Sequence, residues 1–134
     1  MAQEDVEVVL DQFAATNERD FERAMGHYAE DVELYVDPSA FLSGGEFKGR
    51  DAVGQWFADW LTTFEPGYRF DIEEAQEVGE SILLVASHGG RGKSSGVEVE
   101  GHTAYIYVVC DGKIVSTALY GSREEALRSV GVEG

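Results

Sequence analysis

The sequence predicts an α+β fold with its helices mostly in the first half and antiparallel strands in the second, and three observations carry that prediction. Apolar residues recur at helical spacing before residue 65, the period changes to two after it, and Asp111-Gly112 separates two alternating runs as a tight hairpin turn would. Only one strand-like run lies between the helical stretches, which excludes the regular alternation of a parallel α/β sheet.

The elements follow in order. From Gln3 to Thr16, Val6, Val9, Leu10 and Phe13 hold one apolar stripe of a helix. Asp20 is placed to cap a shorter helix whose apolar side is Phe21, Ala24, Met25 and Tyr28. Val32, Leu34 and Val36 alternate with Glu33, Tyr35 and Asp37, which predicts a strand over 32–37 ending at Pro38. After the loop SAFLSGGEFKG, Asp51 can cap a third helix carrying Val53, Trp56, Phe57, Trp60, Leu61 and Phe64, and Pro66-Gly67 stops it.

Strands are then expected from Tyr68 through Ile72, from Ile82 to His88, from Val97 to Cys110 and from Lys113 to Tyr120. Gly101, inside the longest strand, is expected to bulge or bend it. Ser122-Arg123-Glu124-Glu125 reads as a capping box opening a last helix through Leu127.

A chain of 134 residues fits one domain, 1–134. Its 26 acidic residues outnumber 10 Lys and Arg, and only Lys48, Lys93 and Lys113 are lysines. A formal charge of -16 repels polyphosphate and anionic lipid, so neither nucleic acid nor a membrane is an expected partner. The acid excess reads either as a solvated surface or as adaptation to a salty cytoplasm. Cys110, the one cysteine, excludes an internal disulfide and, in its apolar run, is expected to be buried. The acidic start MAQEDVEVVL is unlike a signal peptide, and the expectation is a soluble cytoplasmic protein.

One motif is a decoy. SHGGRGKS, residues 87–94, lacks the first glycine of a phosphate-binding loop, and Lys93 leads into strand-like sequence where that loop needs a helix. It reads as a hairpin end.

Three stretches, NERDFERAMGHYAEDVELYVDP (17–38), GEFKGRDAVGQWFADW (45–60) and CDGKIVSTALYGSREEALRSVGV (110–132), together with the order of elements, resemble the SnoaL-like branch of the nuclear-transport-factor-2-like (NTF2-like) superfamily. That superfamily includes ketosteroid isomerases, polyketide cyclases and scytalone dehydratase. The resemblance implies a cone: a curved antiparallel sheet against three N-terminal helices, a short C-terminal helix, an apolar pocket between them, and a homodimer through the outer sheet face. The long strand is apolar on both sides, Tyr105, Tyr107 and Val109 alternating with Ala104, Ile106 and Val108, as a sheet covered on both faces requires.

The resemblance also implies site residues. The isomerases' base is the aspartate of a strand-ending Asp-Pro, matched by Asp37-Pro38. The interval from Ala29-x-Asp31 to that dipeptide is one residue longer here, and since strand side chains alternate, Asp37 stands between a pocket-facing and a solvent-facing reading. Two hydrogen-bond donors of the isomerases are replaced: Phe13 stands at the helix tyrosine, and the late-strand acid falls near Thr103 or Ala104. Thr117, Ala118 and Leu119 fill the last strand, where cyclase-like relatives carry an acid.

His88 shares a strand face with Ile82, Leu84 and Ala86, so it is the candidate partner of Asp37 in an acid/base couple. The face of His102 is open, and His27, at the end of the short helix, is expected to cap it or to face solvent. Phe13, Tyr28, Tyr35, Trp56, Trp60, Tyr105, Tyr107 and Tyr120 are the candidate ligand-contacting rings, core-forming by default yet suited to a flat apolar molecule. The three histidines show no metal-ligand spacing, and neither a metal nor a cofactor is expected. The functional expectation is a cofactor-free isomerase, dehydratase or cyclase acting on a small apolar or aromatic molecule, against a non-catalytic binder using the same pocket.

Overall fold

The computed structural model describes residues 2–38, 45–62, 69–91, 96 and 98–131. The expected roles of Phe64, Pro66-Gly67, Tyr68, Lys93 and Val97 lie outside the described residues.

Helix α1, Ala2–Asn17, buries Val9, Gln12, Phe13 and Thr16 on one stripe. Helix α2, Phe21–Met25, is capped as expected, the Asp20 carboxylate accepting from the Arg23 amide at 3.2 Å. Tyr28 does not extend this helix. It opens strand β1, Tyr28–Val36, because the His27 carbonyl already accepts from the Ile114 amide at 2.8 Å, which ties the chain to the sheet.

Strand β2, Gly45–Lys48, pairs antiparallel with β1 inside a stretch whose sequence reads as loop. Helix α3, Arg50–Thr62, starts before the expected Asp51 cap. Gly49, at φ 91°, makes the turn, and its carbonyl accepts the helical bond from the Val53 amide at 3.0 Å, so Asp51 sits within the first turn.

Strands β3 (Arg69–Val78), β4 (Ser81–Arg91), β5 (Glu98–Cys110) and β6 (Lys113–Tyr120) form a meander, and helix α4, Arg123–Ser129, follows. The sheet order is β2-β1-β6-β5-β4-β3. All neighbours are antiparallel except β1 and β6, which run parallel because the chain returns to the first strand from the far side of the meander. The sheet is therefore mixed, not wholly antiparallel.

Register breaks occur between Tyr28 and Glu33, between Ile72 and Glu74, and between Val108 and Val109. Gly101 is not one of them: β5 pairs with β4 without interruption through it. Extra residues in one strand of a pair increase local twist, so these three breaks are where the sheet bends.

Two layers of side chains result. The inner face, toward α1 and α3, gathers Leu34, Val36, Phe70, Ile82, Leu84, Tyr105, Tyr107, Ile114 and Leu119 around Phe13 and Val53. On the outer face Leu83, Ala104 and Ile106 are covered by Ala126 and Leu127 of α4, whose first turn is capped by Ser122 accepting from the Glu125 amide at 3.2 Å. The double-sided apolar pattern of β5 thus has a cover within its own chain. Cys110, expected in the core, is exposed, because it ends β5 at the hairpin tip beyond the helices. No described helix is long and apolar enough to cross a membrane.

Candidate functional site

Strand alternation decides which candidates meet. On β4, Ile82, Leu84 and Ala86 are buried in the inner layer and His88 follows at the same spacing. Register places His88 directly across from Gly101 and Ala86 across from Thr103, so His88 and Thr103 are diagonal neighbours on one face. The His88 Nε2 and Thr103 Oγ1 atoms are 2.9 Å apart. Gly101 has the role of space: a Cβ there would lie 3.0 Å from His88 Cε1 and 3.3 Å from Nε2.

Aromatic rings surround this pair. Phe70 packs beside His88 with centroids 5.9 Å apart. Phe13 meets Phe70, Tyr105 and Tyr107 edge-on at 5.8, 5.1 and 6.2 Å, and Tyr105 lies nearly parallel to Tyr107 at 5.8 Å. Burial pushes the His88 imidazole below the ordinary histidine range, and the charge of His102 acts in the same direction. His88 is consequently a neutral group at neutral pH, able to accept a proton or, in one tautomer, to donate one.

A second wall comes from α3. Trp56 and Trp60, one helical turn apart, hold their indoles within 4° of parallel with centroids 6.5 Å apart. Trp56 also meets Phe47 and Phe57, and Phe57 meets Tyr28. Tyr28 and Tyr107 are buried, and loss of water keeps both hydroxyls protonated well above the ordinary tyrosine range.

Of the expected site residues, Phe13, Tyr28, Trp56, Trp60, His88, Tyr105 and Tyr107 belong to the inner layer. Asp37, Tyr35 and Tyr120 do not. Register between β1 and both neighbours is unbroken from Glu33 to Val36, so Tyr35 and Asp37 stay on the face opposite Leu34 and Val36. The Tyr35 hydroxyl donates to Asp37 Oδ1 at 2.6 Å, and Tyr35 packs against Tyr120 at 5.9 Å. The register of β1 against β6 shifts only upstream of this run, between Tyr28 and Glu33, and no shift follows that would turn Asp37 inward. The expected Asp37–His88 couple is therefore not assembled: the two side chains leave the sheet on opposite faces.

The other histidines also separate. His102 is outward, 3.4 Å from Glu73 Oε1, and His27 joins Asp11 at 2.7 Å in place of a simple helix end. Among the described residues no group of three or more His, Cys, Asp or Glu side chains is arranged to hold a metal.

Of the buried polar residues Gln12, Thr16, Thr103 and Thr117, sequence reasoning missed the first two and read the threonines only as replacements of the family's acids. Gln12 receives the Tyr107 hydroxyl at 3.5 Å and donates to Thr16 Oγ1 at 3.1 Å, and Thr117 lies across from Tyr107. Their signal was positional: Gln12 and Thr16 occupy stripe positions beside Val9 and Phe13, and Thr103 is in step with Tyr105 and Tyr107.

The fold has counterparts in known structures. The chain resembles TerC, solved with polyporic acid, at 19% identity over 94% of this chain and 96% of that one, with a TM-score of 0.75. A nuclear-transport-factor-2-like protein of Burkholderia xenovorans LB400 is 26% identical, with 90% of each chain covered and a TM-score of 0.73. A protein of Jannaschia sp. CCS1 named as a SnoaL-like polyketide cyclase is 14% identical, with 100% of this chain and 96% of that one covered and a TM-score of 0.79. No protein of curated function matches the chain. These likenesses fix an NTF2-like α+β fold, and since residues 9–117 match the family itself, the chain belongs to the SnoaL-like domain family.

Proposed function

We propose that the inner face takes a small apolar or aromatic molecule and that His88 exchanges a proton with it without a cofactor, in an isomerase, dehydratase or cyclase type of reaction. The observation that carries this reading is His88 itself, a partly desolvated imidazole hydrogen-bonded to buried Thr103 and set against Phe70 in a mostly apolar layer. Perturbed titratable groups in such surroundings mark functional sites. TerC, which shares this fold, was solved with polyporic acid, and that supports a small-molecule ligand here.

Ligand-induced stabilisation across aromatic and alicyclic ketones, followed by turnover of every stabilising compound, tests the proposal. His88→Gln is expected to lower turnover by about 10²–10⁴-fold while the fold is kept. Equal turnover by this variant would sink the assignment.

One observation favours a second reading, a binder without chemistry: the buried polar residues among those described include no carboxylate to share the proton with His88. Stabilisation by ligands with no turnover of any of them would select it. A homodimer through the outer face belongs to the same proposal, supported by half-buried Val85, Ala118 and Tyr120 beside the α4 cover, and sedimentation showing only monomer would remove it.

A further inference from the structure

We propose that the Tyr28 and Thr117 hydroxyls are the polar end of the inner-face site and donate hydrogen bonds to the carbonyl oxygen of a neutral ligand. The inference rests on the reading of the inner face as a small-molecule site, and not on proton exchange by His88. It adds the chemical class of the ligand.

Two hydroxyls of the inner layer lack what buried polar groups ordinarily have. Tyr28 and Thr117 are each 1% exposed, and neither Tyr28 Oη nor Thr117 Oγ1 has a hydrogen-bond partner. Such a group has given up water without replacing it, which costs the fold stability and calls for a reason. Both lie near a third hydroxyl. Thr117 stands directly across the β5–β6 ladder from Tyr107, and Tyr28 and Thr117 both act electrostatically on the Tyr107 hydroxyl.

Their polar neighbours are already engaged. The Tyr107 hydroxyl donates to Gln12 Oε1 at 3.5 Å, and Gln12 Nε2 donates to Thr16 Oγ1 at 3.1 Å. Neither orphan is placed to turn toward water: the Tyr28 ring packs on Phe57 at 6.4 Å, and Thr117 is held between Leu34 of β1 and Tyr107 of β5. The two hydroxyls are therefore donors held ready inside the layer.

The chemistry of the layer narrows what they receive. Burial keeps the Tyr28 phenol protonated, so at neutral pH it offers a hydrogen to an acceptor, as the threonine hydroxyl also can. The buried residues among those described include no Lys or Arg, so a carboxylate or phosphate would lose its hydration without a counter-charge. A ketone sets apolar rings against Phe13, Tyr105 and Tyr107 and asks only for donors at its oxygen.

Melting curves of the full chain, and its binding of α-tetralone and the hydrocarbon counterpart tetralin, test the proposal. Without a ligand, Tyr28→Phe and Thr117→Val should melt at or above the wild-type temperature, because each removes an unsatisfied group and keeps the shape. From wild type to the double variant the ratio of α-tetralone to tetralin affinity should fall about 3–10-fold, with tetralin affinity unchanged. Tyr35→Phe, on the outer face, should keep the wild-type ratio. A lower melting temperature in both single variants would mean that the hydroxyls already bond within the fold, and would overturn the proposal. Binding of both probes with the same ratio in wild type and the double variant would also overturn it, yet leave the inner-face site standing. Binding of neither probe to wild type would remove the site and the proposal together.

Discussion

The Tyr35 hydroxyl donates to Asp37 across 2.6 Å on the outer side of β1, and that hydrogen bond locates the acid of the Asp-Pro dipeptide away from the layer that holds His88. The tyrosine pKa is pushed up to about 12, first by this bond and then by partial desolvation. Asp37→Asn is expected to return Tyr35 toward the ordinary tyrosine range and to leave the His88 titration where it was. The sign follows from linkage. A raised tyrosine pKa favours the protonated folded form, so the contribution is full below the ordinary tyrosine pKa and is lost as pH rises toward 12. Residue-resolved NMR titration of both groups checks it, and a shift of His88 in the variant would show that the two faces communicate.

His88 sets the opposite pH behaviour. Its pKa is lowered, chiefly by desolvation, so the unfolded chain binds this proton more tightly than the folded one. Stability from keeping His88 neutral is present above the ordinary histidine pKa, near 6.5, and is lost as pH falls through the depressed folded value. His88→Gln, which cannot titrate, should flatten that limb of the stability curve. If His88 is the base, turnover should also reach its plateau on the alkaline side of the same depressed value. Urea unfolding at a series of pH values between neutral and mildly acid checks the first effect. An unchanged slope in the variant would place the loss elsewhere.

The periodic features of the chain were legible in its sequence, and the positional ones were not. The stripe of Val9 and Phe13, the alternation of Ile82, Leu84 and His88, and the Ser122 cap each state a face or a boundary by local spacing, and the structure keeps all three. Gly49 ending the turn before α3 was hidden because a hydrogen bond from its own amide to the Val32 carbonyl, 2.8 Å, fixes it from outside the helix. The parallel pairing of β1 with β6 is non-local and leaves no trace in either strand's pattern. Asp37 shows the limit most clearly: one extra residue reverses a strand's faces, and sequence cannot say where the chain absorbs it. Here the register of β1 against β6 shifts before Glu33 and runs unbroken from there to Val36, so Asp37 keeps the face of Tyr35.

The cover on the outer face makes a third prediction. Leu127, 3% exposed, packs with Ala126 over Leu83, Ala104 and Ile106, so truncating it removes the larger part of that small cluster's lid. Leu127→Ala should cost about 2–5 kcal/mol, the range for a buried leucine, and should expose apolar sheet surface. Chemical denaturation gives the cost, and dye binding or concentration-dependent self-association reports the exposure. A loss well under 1 kcal/mol would mean that α4 rests on the sheet without stabilising it.

At the other end of the molecule Asp11 links three elements. Its carboxylate accepts from Arg23 of α2 at 2.6 Å and meets His27 Nε2 at 2.7 Å, just before β1, which ties α1 to the start of the sheet. Those two hydrogen bonds, Arg23 first, hold the Asp11 carboxyl well below the usual carboxylate range. A depressed acid stabilises the fold above its unfolded pKa, about 3.9, and the contribution is lost as pH falls below that value. Arg23 and Asp11 are exposed and His27 partly so, and water and salt screen them, so the effect is small and ionic-strength dependent. Asp11→Asn is therefore expected to lower the melting temperature slightly at neutral pH and low salt, with the gap narrowing in molar KCl and closing in strong acid. Melting curves at two salt concentrations and two pH values measure all of these. A gap that persists undiminished in acid would assign the loss to packing at position 11 and not to its charge.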